Sequence, residues 1–431
     1  MARIGRSRWA ARPLALLALV CLVSGAARTA WIGAPCRAPC RTPADHILVF
    51  DEAYYVNAAR VIAGIPIAPG ADYAGAPAGV DPNSEHPQLA KLAIAGSIEL
   101  LGDRPLAWRL GSLVFGTLAI LGIFCLVRCA GGGRRLALGA ASLMAADNLQ
   151  VVHGRIGTLD VYALATIVWA AAFYLRGRFV VAGVLIGVGA AFKEVGAYAL
   201  LVLAAFEALR FARSRAEGGR RALRIGACAA TSAAVFVGLL AVMGPIAAPY
   251  DPQTHSLVGG GPFGQIAHML SYAAGQTSRH GPQGIASYPW EWLVDYKPIT
   301  YLYIDPRRPA GGLFHVHPGV HFLGLVSPPI LLLGLPALAS AGSRVLRGRS
   351  SDLGALGLAW FLGTFVPFAL LSVVLARTSY LYYMVFVMPG LYLLVADLLA
   401  GHRDHRRLVT GWVICVLAAA LVLYPLTPLP W

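Results

Sequence analysis

Two adjacent carboxylates, Asp51 and Glu52, lie a short distance beyond the first long apolar run of this 431-residue chain. Only 13% of the residues are charged and 58% are hydrophobic, so an acidic pair just outside an apolar segment is a candidate general base. Such a carboxylate takes a proton from an attacking hydroxyl and contributes about 10²–10⁴-fold to the rate. The structural alternative is the start of a helix, where the helix dipole and solvent stabilise negative charge.

Cationic side chains that could stabilise an anionic leaving group occur in several other segments. Arg155 follows the third apolar run, Lys193 ends a run rich in Gly and Ala, and Arg377 precedes a tyrosine cluster. His86 and Lys91 follow the acidic pair and are second choices. Arginine binds an oxyanion in a forked geometry and lysine binds it as a point charge. These five side chains are therefore candidates for binding an anion.

Each candidate also has a structural interpretation. Arg155 and Asp160 could form a buried pair that stabilises a tight turn between two helices. The small residues before Lys193 favour close helix packing. A last group consists of aromatic residues, whose structural alternative is anchoring at a membrane interface: Trp290, Trp292, Tyr380 and Tyr382.

Apolar runs of about 17–25 residues recur along the whole chain, and each is long enough to cross a bilayer as a helix. With a mean hydropathy of +0.65, they predict an all-α polytopic membrane protein with a single integral-membrane domain over 1–431. We predict about eleven transmembrane helices: 13–32, 107–127, 136–152, 159–175, 179–192, 195–209, 223–246, 319–341, 353–375, 380–399 and 408–426. The first 30 residues also fit a signal peptide, but a retained first span is expected because many spans follow. Segments 53–63 and 88–101 read as further helices, the second amphipathic and lying at the interface.

The charges of the connecting segments predict the orientation of the chain. Basic clusters fall on alternate connections: Arg3/Arg6/Arg8/Arg12, Arg128/Arg134/Arg135, Arg176/Arg178, Arg210 to Arg224, Arg344/Arg347/Arg349 and Arg403/Arg406/Arg407. The positive-inside rule places this side, with the N-terminus, in the cytoplasm, and two long loops, 33–106 and 247–318, outside. The net charge of +15 follows mostly from this bias, so a nucleic-acid partner is not expected.

This topology places all the candidate residues at or just beneath the outer face. Ionisable groups near the membrane plane are costly and usually functional, so we predict a single reaction site there. A transporter would instead carry charged residues and broken helices near the mid-plane, with paired repeats in its two halves. The sequence shows no such repeat, which favours an enzyme.

Taken together in their order along the chain, the motif-bearing segments resemble the protein O-mannosyltransferase family. Its members are membrane enzymes of the GT-C fold that use dolichyl- or polyprenyl-phosphate-mannose. The similarity covers roughly residues 45–400 and rests on these motifs: Phe50-Asp51-Glu52; His86-Pro87 with Lys91; Arg155 with Leu159-Asp160; Gly187 to Lys193; Ser287 to Trp292; and Arg377 to Tyr383 before Met388-Pro389. The chain departs from the family pattern at Gln88 and Ala90, after His86-Pro87, and at Glu194, where an aromatic residue is common. The loop 247–318 is too short to hold the soluble domain that is inserted in the eukaryotic members. Bacterial members of the family also lack this domain.

The resemblance implies an inverting glycosyltransferase in which Asp51 is the base and Glu52 orients the acceptor or shares the proton. It implies that the cations and the aromatic segments bind or cover the lipid-phosphate donor: Arg155, Lys193, Arg377, His86, Lys91, Asp160, Trp290, Trp292, Tyr380 and Tyr382. It implies no metal and no cofactor, because the lipid-linked sugar is itself a substrate. The content of Arg and Ala is typical of a GC-rich bacterial genome, which favours a polyprenyl over a dolichyl carrier.

The acceptor is less constrained than the donor. We expect transfer of mannose to Ser/Thr hydroxyls of secreted or membrane proteins at the outer face of the cell membrane, with the secretion machinery as a further partner. The alternative keeps the fold and the donor class but gives the sugar to a lipid or a cell-wall glycan. Cys36 and Cys40 lie in the first outer loop, where a disulfide is possible, and the sequence leaves their state open.

Overall fold

The computed structural model describes residues 2–37, 40–215, 218–304, 320–401 and 405–426, with side chains from residue 13 onward. Arg403 and the side chains of Arg3, Arg6, Arg8 and Arg12, which belong to predicted basic clusters, lie outside this part. The helices are α1 (Ala2–Thr29), α2 (Glu52–Ile62), α3 (Leu89–Leu101), α4 (Pro105–Cys129), α5 (Arg134–Ala146), α6 (Asn148–His153), α7 (Asp160–Leu175), α8 (Phe179–Phe192), α9 (Tyr198–Arg213), α10 (Gly218–Met243), α11 (Gly261–Gly275), α12 (Pro289–Trp292), α13 (Pro328–Leu346), α14 (Asp352–Leu375), α15 (Met384–Gly401) and α16 (Arg406–Val422). Two short antiparallel hairpins complete the described structure: β1 (Tyr250–Asp251) with β2 (Ser256–Leu257), and β3 (Ile299–Ile304) with β4 (Val320–Gly324).

A helix lies at each predicted span. Six helical segments are long and apolar enough to cross a membrane: α4, Glu194–Arg213, α10, α13, α14 and Leu381–Gly401. Shorter apolar helices run over Pro13–Thr29, α7 and α8. The predicted class, a mostly helical multi-pass membrane protein, is confirmed, whereas the count of eleven spans and their orientation remain predictions.

Two predicted spans have different bounds in the structure. The third, 136–152, is interrupted at Asp147, whose carboxylate accepts hydrogen bonds from the backbone N–H groups of Leu149 at 3.2 Å and Ser327 at 2.9 Å. This cap begins α6 as a separate helix. The eighth span, predicted from residue 319, begins at Pro328, because Val320–Gly324 pairs with β3 instead.

The first long loop folds against the helix bundle. Both helices predicted within it are present, as α2 and α3. Arg109 of α4 donates a hydrogen bond to the carbonyl of Ala34 at 3.2 Å and so ties the start of the loop to the bundle. Cys36 and Cys40 form a disulfide, the alternative that the sequence left open.

Small residues allow close packing of α8, which lies against α7 and α10. In α8, a Cβ atom added at Gly187 would lie 2.7 Å from the carbonyl oxygen of Ser232 in α10. A Cβ atom at Gly196, in the turn between α8 and α9, would lie 2.4 Å from the backbone of Gly189. The predicted close packing of the Gly- and Ala-rich run is confirmed, and it fixes the position of Lys193 at the end of α8.

Candidate active site

One end of the helix bundle holds a cavity of about 510 Å³. Its walls come from segments that are distant in sequence: the start of α2, the loop before α3, the turn between α8 and α9, α11, and the segment between α14 and α15. These segments meet because antiparallel helices place the ends of α8 and α14 beside the beginnings of α9 and α15. The cavity brings together five of the twelve predicted site residues: Asp51, His86, Arg377, Tyr380 and Tyr382.

Asp51 immediately precedes α2 and lines the cavity. The residue before it, Phe50, adopts a left-handed backbone conformation with φ of 55°. The Phe50 ring stacks on Tyr301 with 4.0 Å between centroids, and this contact fixes the turn. Within the described residues, no hydrogen bond or ion pair engages the Asp51 carboxylate. The side chain is therefore available to a ligand in the cavity.

The surroundings of Asp51 bring the pKa of its carboxyl closer to neutral pH. Burial raises the pKa of the Asp51 carboxyl to about 6, although the positive charges of Lys193 and His86 lower it and the Asp160 carboxylate raises it further. A general base is most effective when its pKa lies near the working pH. Asp51 therefore has both the access and the basicity that proton abstraction requires.

Glu52, the second acidic residue, faces away from the cavity and is completely buried. Arg109 donates two hydrogen bonds of 2.7 Å to its two oxygens. The backbone N–H groups of Val49 and Gly157 donate two more, each at 2.7 Å. With four donors in place, the Glu52 carboxylate joins the start of α2 to α4 and to the turn before α7, and it does not line the cavity.

A buried polar network lies next to Asp51. Lys193, at the end of α8, donates a hydrogen bond of 2.7 Å to Asp160, the first residue of α7. The second Asp160 oxygen lies 3.9 Å from Nδ1 of His153 and has no hydrogen-bond partner among the described residues. Nε2 of His153 lies 2.8 Å from the hydroxyl of Tyr301, the residue that stacks on Phe50. This network connects both predicted residues, Lys193 and Asp160, to the turn that carries Asp51.

His86 and Lys91 have different surroundings although they lie five residues apart. His86 lines the cavity, with Nδ1 3.0 Å from a Glu194 carboxylate oxygen. Lys91 is completely buried, 2.6 Å from Asp81, and donates a hydrogen bond of 2.9 Å to the His86 carbonyl. Lys91 therefore holds the loop that presents His86, and it does not reach the cavity itself.

Arg377 lies on the opposite wall, just beyond α14. The preceding residue, Ala376, has a φ of 50° and ends the helix in the left-handed conformation. The Arg377 guanidinium donates to the carbonyl of Ala273 in α11, and no described carboxylate pairs with it. Tyr380 and Tyr382 stack with 5.3 Å between centroids and form the adjacent wall. Arg377 is thus a cation with donors free for an anion in the cavity.

Three predicted residues lie away from the cavity. Arg155 is fully buried and donates to the hydroxyl of Tyr424 at 3.2 Å and the carbonyl of Ala30 at 3.0 Å. Trp292 is buried and donates to Ser287 at 2.9 Å, whereas Trp290 is 47% exposed. The hydrogen bonds of Arg155 and Trp292 are therefore structural, and the Trp290 ring stacks on Tyr288 with 4.5 Å between centroids.

Several residues that line the cavity were not among the predicted site residues: Tyr54, Tyr55, Asn83, Glu85, Glu194, Tyr272, Gln276, Thr378 and Tyr383. Four of them, Glu85, Glu194, Thr378 and Tyr383, directly adjoin predicted residues, so local sequence could have suggested them. Tyr272 and Gln276 lie at the end of α11 within the second long loop, where no motif marked them. No group of three or more His, Cys, Asp or Glu side chains in the described chain is arranged to hold a metal ion.

Comparisons with known proteins agree with the resemblance seen in the motifs. Residues 85–241 match the family model described as dolichyl-phosphate-mannose-protein mannosyltransferase. A polyprenol-phosphate-mannose–protein mannosyltransferase from Corynebacterium glutamicum is 32% identical over 133 residues, which are 30% of this chain and 24% of that relative's length.

Solved structures extend the similarity to the whole fold. The O-mannosyltransferase complex Pmt1–Pmt2 of S. cerevisiae, bound to its sugar donor, has a TM-score of 0.68 at 12% identity and covers 96% of this chain and 89% of its own. ArnT from Cupriavidus metallidurans, bound to undecaprenyl phosphate, has a TM-score of 0.55 at 16% identity and covers 91% of this chain and 60% of its own. The chain therefore has the GT-C membrane fold, and its predicted resemblance to the protein O-mannosyltransferase family is confirmed.

Proposed function

We propose that this chain is an inverting glycosyltransferase that moves mannose from polyprenyl-phosphate-mannose to Ser/Thr hydroxyls of exported proteins. The observation that carries the proposal is the Asp51 carboxylate, which lines a cavity and has no hydrogen-bond partner among the described residues, in a chain of the GT-C fold. The family match over residues 85–241 and the Corynebacterium relative support the choice of donor and of a protein acceptor. The positive-inside bias supports an active site at the outer face of the cell membrane.

In the proposed reaction, the acceptor oxygen attacks the anomeric carbon of the mannose while its proton passes to Asp51. The bond between the anomeric carbon and the phosphate oxygen breaks, and the lipid phosphate leaves with the electron pair. Direct displacement converts the β linkage of the donor into an α linkage in the product. The cavity of about 510 Å³ falls within the range of small-molecule sites, roughly 300–1,000 Å³.

The leaving phosphate requires fixed positive charge near the place where its own charge develops. Arg377 meets this requirement best, because it lines the cavity and lacks a described carboxylate partner. His86 is the second contributor, and its Nδ1 lies 3.0 Å from a Glu194 carboxylate oxygen. Lys193 lies beneath the cavity and donates a hydrogen bond to Asp160. Its positive charge lowers the pKa of the Asp51 carboxyl.

The contacts of Glu52 support a positioning role instead of the acceptor contact expected from the sequence. Its four hydrogen bonds leave no oxygen directed to the cavity. Arg155 and Lys91 likewise stabilise the segments around the site. We therefore assign catalysis to Asp51 and phosphate stabilisation to Arg377, with His86 in support.

The test is a transfer assay with the purified chain in detergent, radiolabelled polyprenyl-phosphate-mannose and a Ser/Thr/Pro-rich peptide. Label should appear on the peptide and be lost with Asp51→Asn. The matched control is Asp72→Asn, an equal charge change at an exposed position in the same loop. Donor consumption without labelled peptide would refute the protein acceptor in favour of a lipid, glycan or water. No consumption by the wild-type chain would refute the donor.

A further inference from the structure

A second large cavity, of about 650 Å³, lies between α5, α15 and α16, toward the end of the bundle that is opposite to the catalytic cavity. Tyr382 and Tyr383, just before α15, line the catalytic cavity, whereas the part of α15 that lines the second space begins at Ala396. From Met384 to Ala396 the helix rises about 18 Å. The second space, here called the α5–α16 groove, is therefore separate from the reaction site.

The walls of the α5–α16 groove are mostly apolar and open to the surroundings of the bundle. Val413 and Leu417 of α16 line the groove and are 41% and 55% exposed. On the facing side of the groove, a Cβ atom added at Gly139 of α5 would have no heavy atom within 4 Å. Since α5 and α16 both lie in predicted membrane spans, the apolar part of this groove faces the acyl chains of lipids.

The beginnings of the two outer helices of the groove carry positive charge. Arg135 in the first turn of α5 and Arg406 at the start of α16 line the groove, and neither guanidinium has a hydrogen-bond or ion-pair partner among the described residues. None of the described residues that line the groove is acidic. Asp397, beside the lining residue Ala396 in the sequence, already accepts a hydrogen bond of 2.7 Å from Arg344. The starts of two helices add partial positive charge, so this end of the groove favours an anion.

The length of the groove matches one leaflet of a bilayer. From Arg135 to Ala146, α5 rises about 16 Å, and α16 rises by the same amount from Arg406 to Leu417. Half of the hydrocarbon core of a bilayer is about 15 Å thick. An acyl chain that lies along the groove therefore places its headgroup beside the two arginines. The positive-inside rule predicts that this side is cytoplasmic, and anionic lipids give the cytoplasmic leaflet a negative surface potential.

We propose that the α5–α16 groove binds a diacyl phospholipid with an anionic headgroup. Its phosphate pairs with Arg135 and Arg406, and one of its tails lies between α5 and α16. Basic pockets between transmembrane helices on the cytoplasmic side are known to bind anionic lipid headgroups. This lipid is distinct from the sugar donor, because the phosphate of the donor must lie at the catalytic cavity. The proposal goes beyond the proposed function and does not depend on it.

The headgroup is tested with two lipids that have identical tails, dioleoyl phosphatidylglycerol and dioleoyl phosphatidylcholine. Each is added to the delipidated full chain in detergent, and bound lipid is counted by native mass spectrometry. Each basic side chain near an anionic lipid contributes about a fivefold gain in affinity, so Arg135→Gln combined with Arg406→Gln should weaken phosphatidylglycerol binding roughly 25-fold. The matched control is Arg347→Gln combined with Arg349→Gln, two exposed arginines just beyond α13 that do not line the groove. Equal binding of the two lipids by the wild type, or an equal loss of binding in the control, would overturn the headgroup site.

The position of the tail is tested by filling the groove while both arginines are kept. Gly139→Leu should weaken phosphatidylglycerol binding about tenfold or more, because each buried CH₂ group that is displaced contributes about fourfold. The control is Gly411→Leu, which adds the same side chain at an exposed glycine of α16 that does not line the groove. Unchanged binding by Gly139→Leu would overturn the placement of the tail. Lipid-free dimers that become monomers in Gly139→Leu would show that a second copy of the chain fills the groove, and would overturn the lipid assignment.

Discussion

The Asp51→Asn substitution should abolish transfer and, at the same time, stabilise the protein above pH 6. The native carboxylate is held where burial raises its pKa from 3.8 to about 6, so its ionised form is less stable in the folded state than in the unfolded chain. This rise in pKa corresponds to a free-energy cost of about 3 kcal/mol for the ionised form. The figure is an upper bound because the side chain lines a cavity. Asparagine has the same shape without the charge, so it removes both the base and this cost.

The pH dependence gives the sign of the effect. A raised pKa means that the folded state binds the proton more tightly, so the contribution of Asp51 to stability is full below pH 3.8 and is lost as pH rises through about 6. The melting temperature of the wild type, measured relative to that of Asp51→Asn, should therefore decrease as the pH rises from 4 to 7. Transfer by the wild type should rise over the same upper range, because the base must be ionised.

The assay measures thermal unfolding in detergent from pH 4 to pH 8 together with single-turnover transfer, with Asp72→Asn as the control for an exposed carboxylate. Asp72→Asn should reproduce the wild type in both measurements. A difference in melting temperature between wild type and Asp51→Asn that does not depend on pH would refute the buried, proton-binding carboxylate. Wild-type turnover by Asp51→Asn would refute its role as the base.

Three further substitutions test the other assignments. Arg377→Gln should raise KM for the donor and lower kcat about tenfold or more, since it removes a cation aimed at the phosphate; unchanged steady-state kinetics would contradict that role. Glu52→Ala should destabilise the fold by roughly 3–5 kcal/mol, because it leaves the Arg109 guanidinium buried without its partner, and a melting temperature equal to wild type would exclude the anchoring role. Arg155→Gln should lower thermal stability through its lost contact with Tyr424 while leaving donor affinity unchanged, and a weakened donor affinity would restore Arg155 to the phosphate site.

Much of the fold could be predicted from the sequence because membrane insertion is a local property. A run of about 20 apolar residues satisfies its own backbone hydrogen bonds as a helix, whatever its neighbours do. For this reason a helix was found at each predicted span, and the helices at 53–63 and 88–101 were found as α2 and α3. The exceptions are places where a distant partner intervenes. The Asp147 carboxylate caps α6 and accepts a hydrogen bond from Ser327, so the predicted span 136–152 is interrupted. Val320–Gly324, predicted as the start of the span 319–341, pairs with β3 instead.

The residue types and their spacing predicted the chemistry of the site: a carboxylate for the base, cations for an anion, and their place at the ends of helices. Which of these residues share a cavity depends on the tertiary structure. Asp51 and Glu52 are neighbours in the chain, but successive residues at a helix start point about 100° apart, so one faces the cavity and the other meets Arg109 in α4. Arg377 and Arg155 are both cations at helix ends, yet only Arg377 lines the cavity. Such differences depend on which helix ends pack together, and that depends on contacts between residues far apart in the sequence.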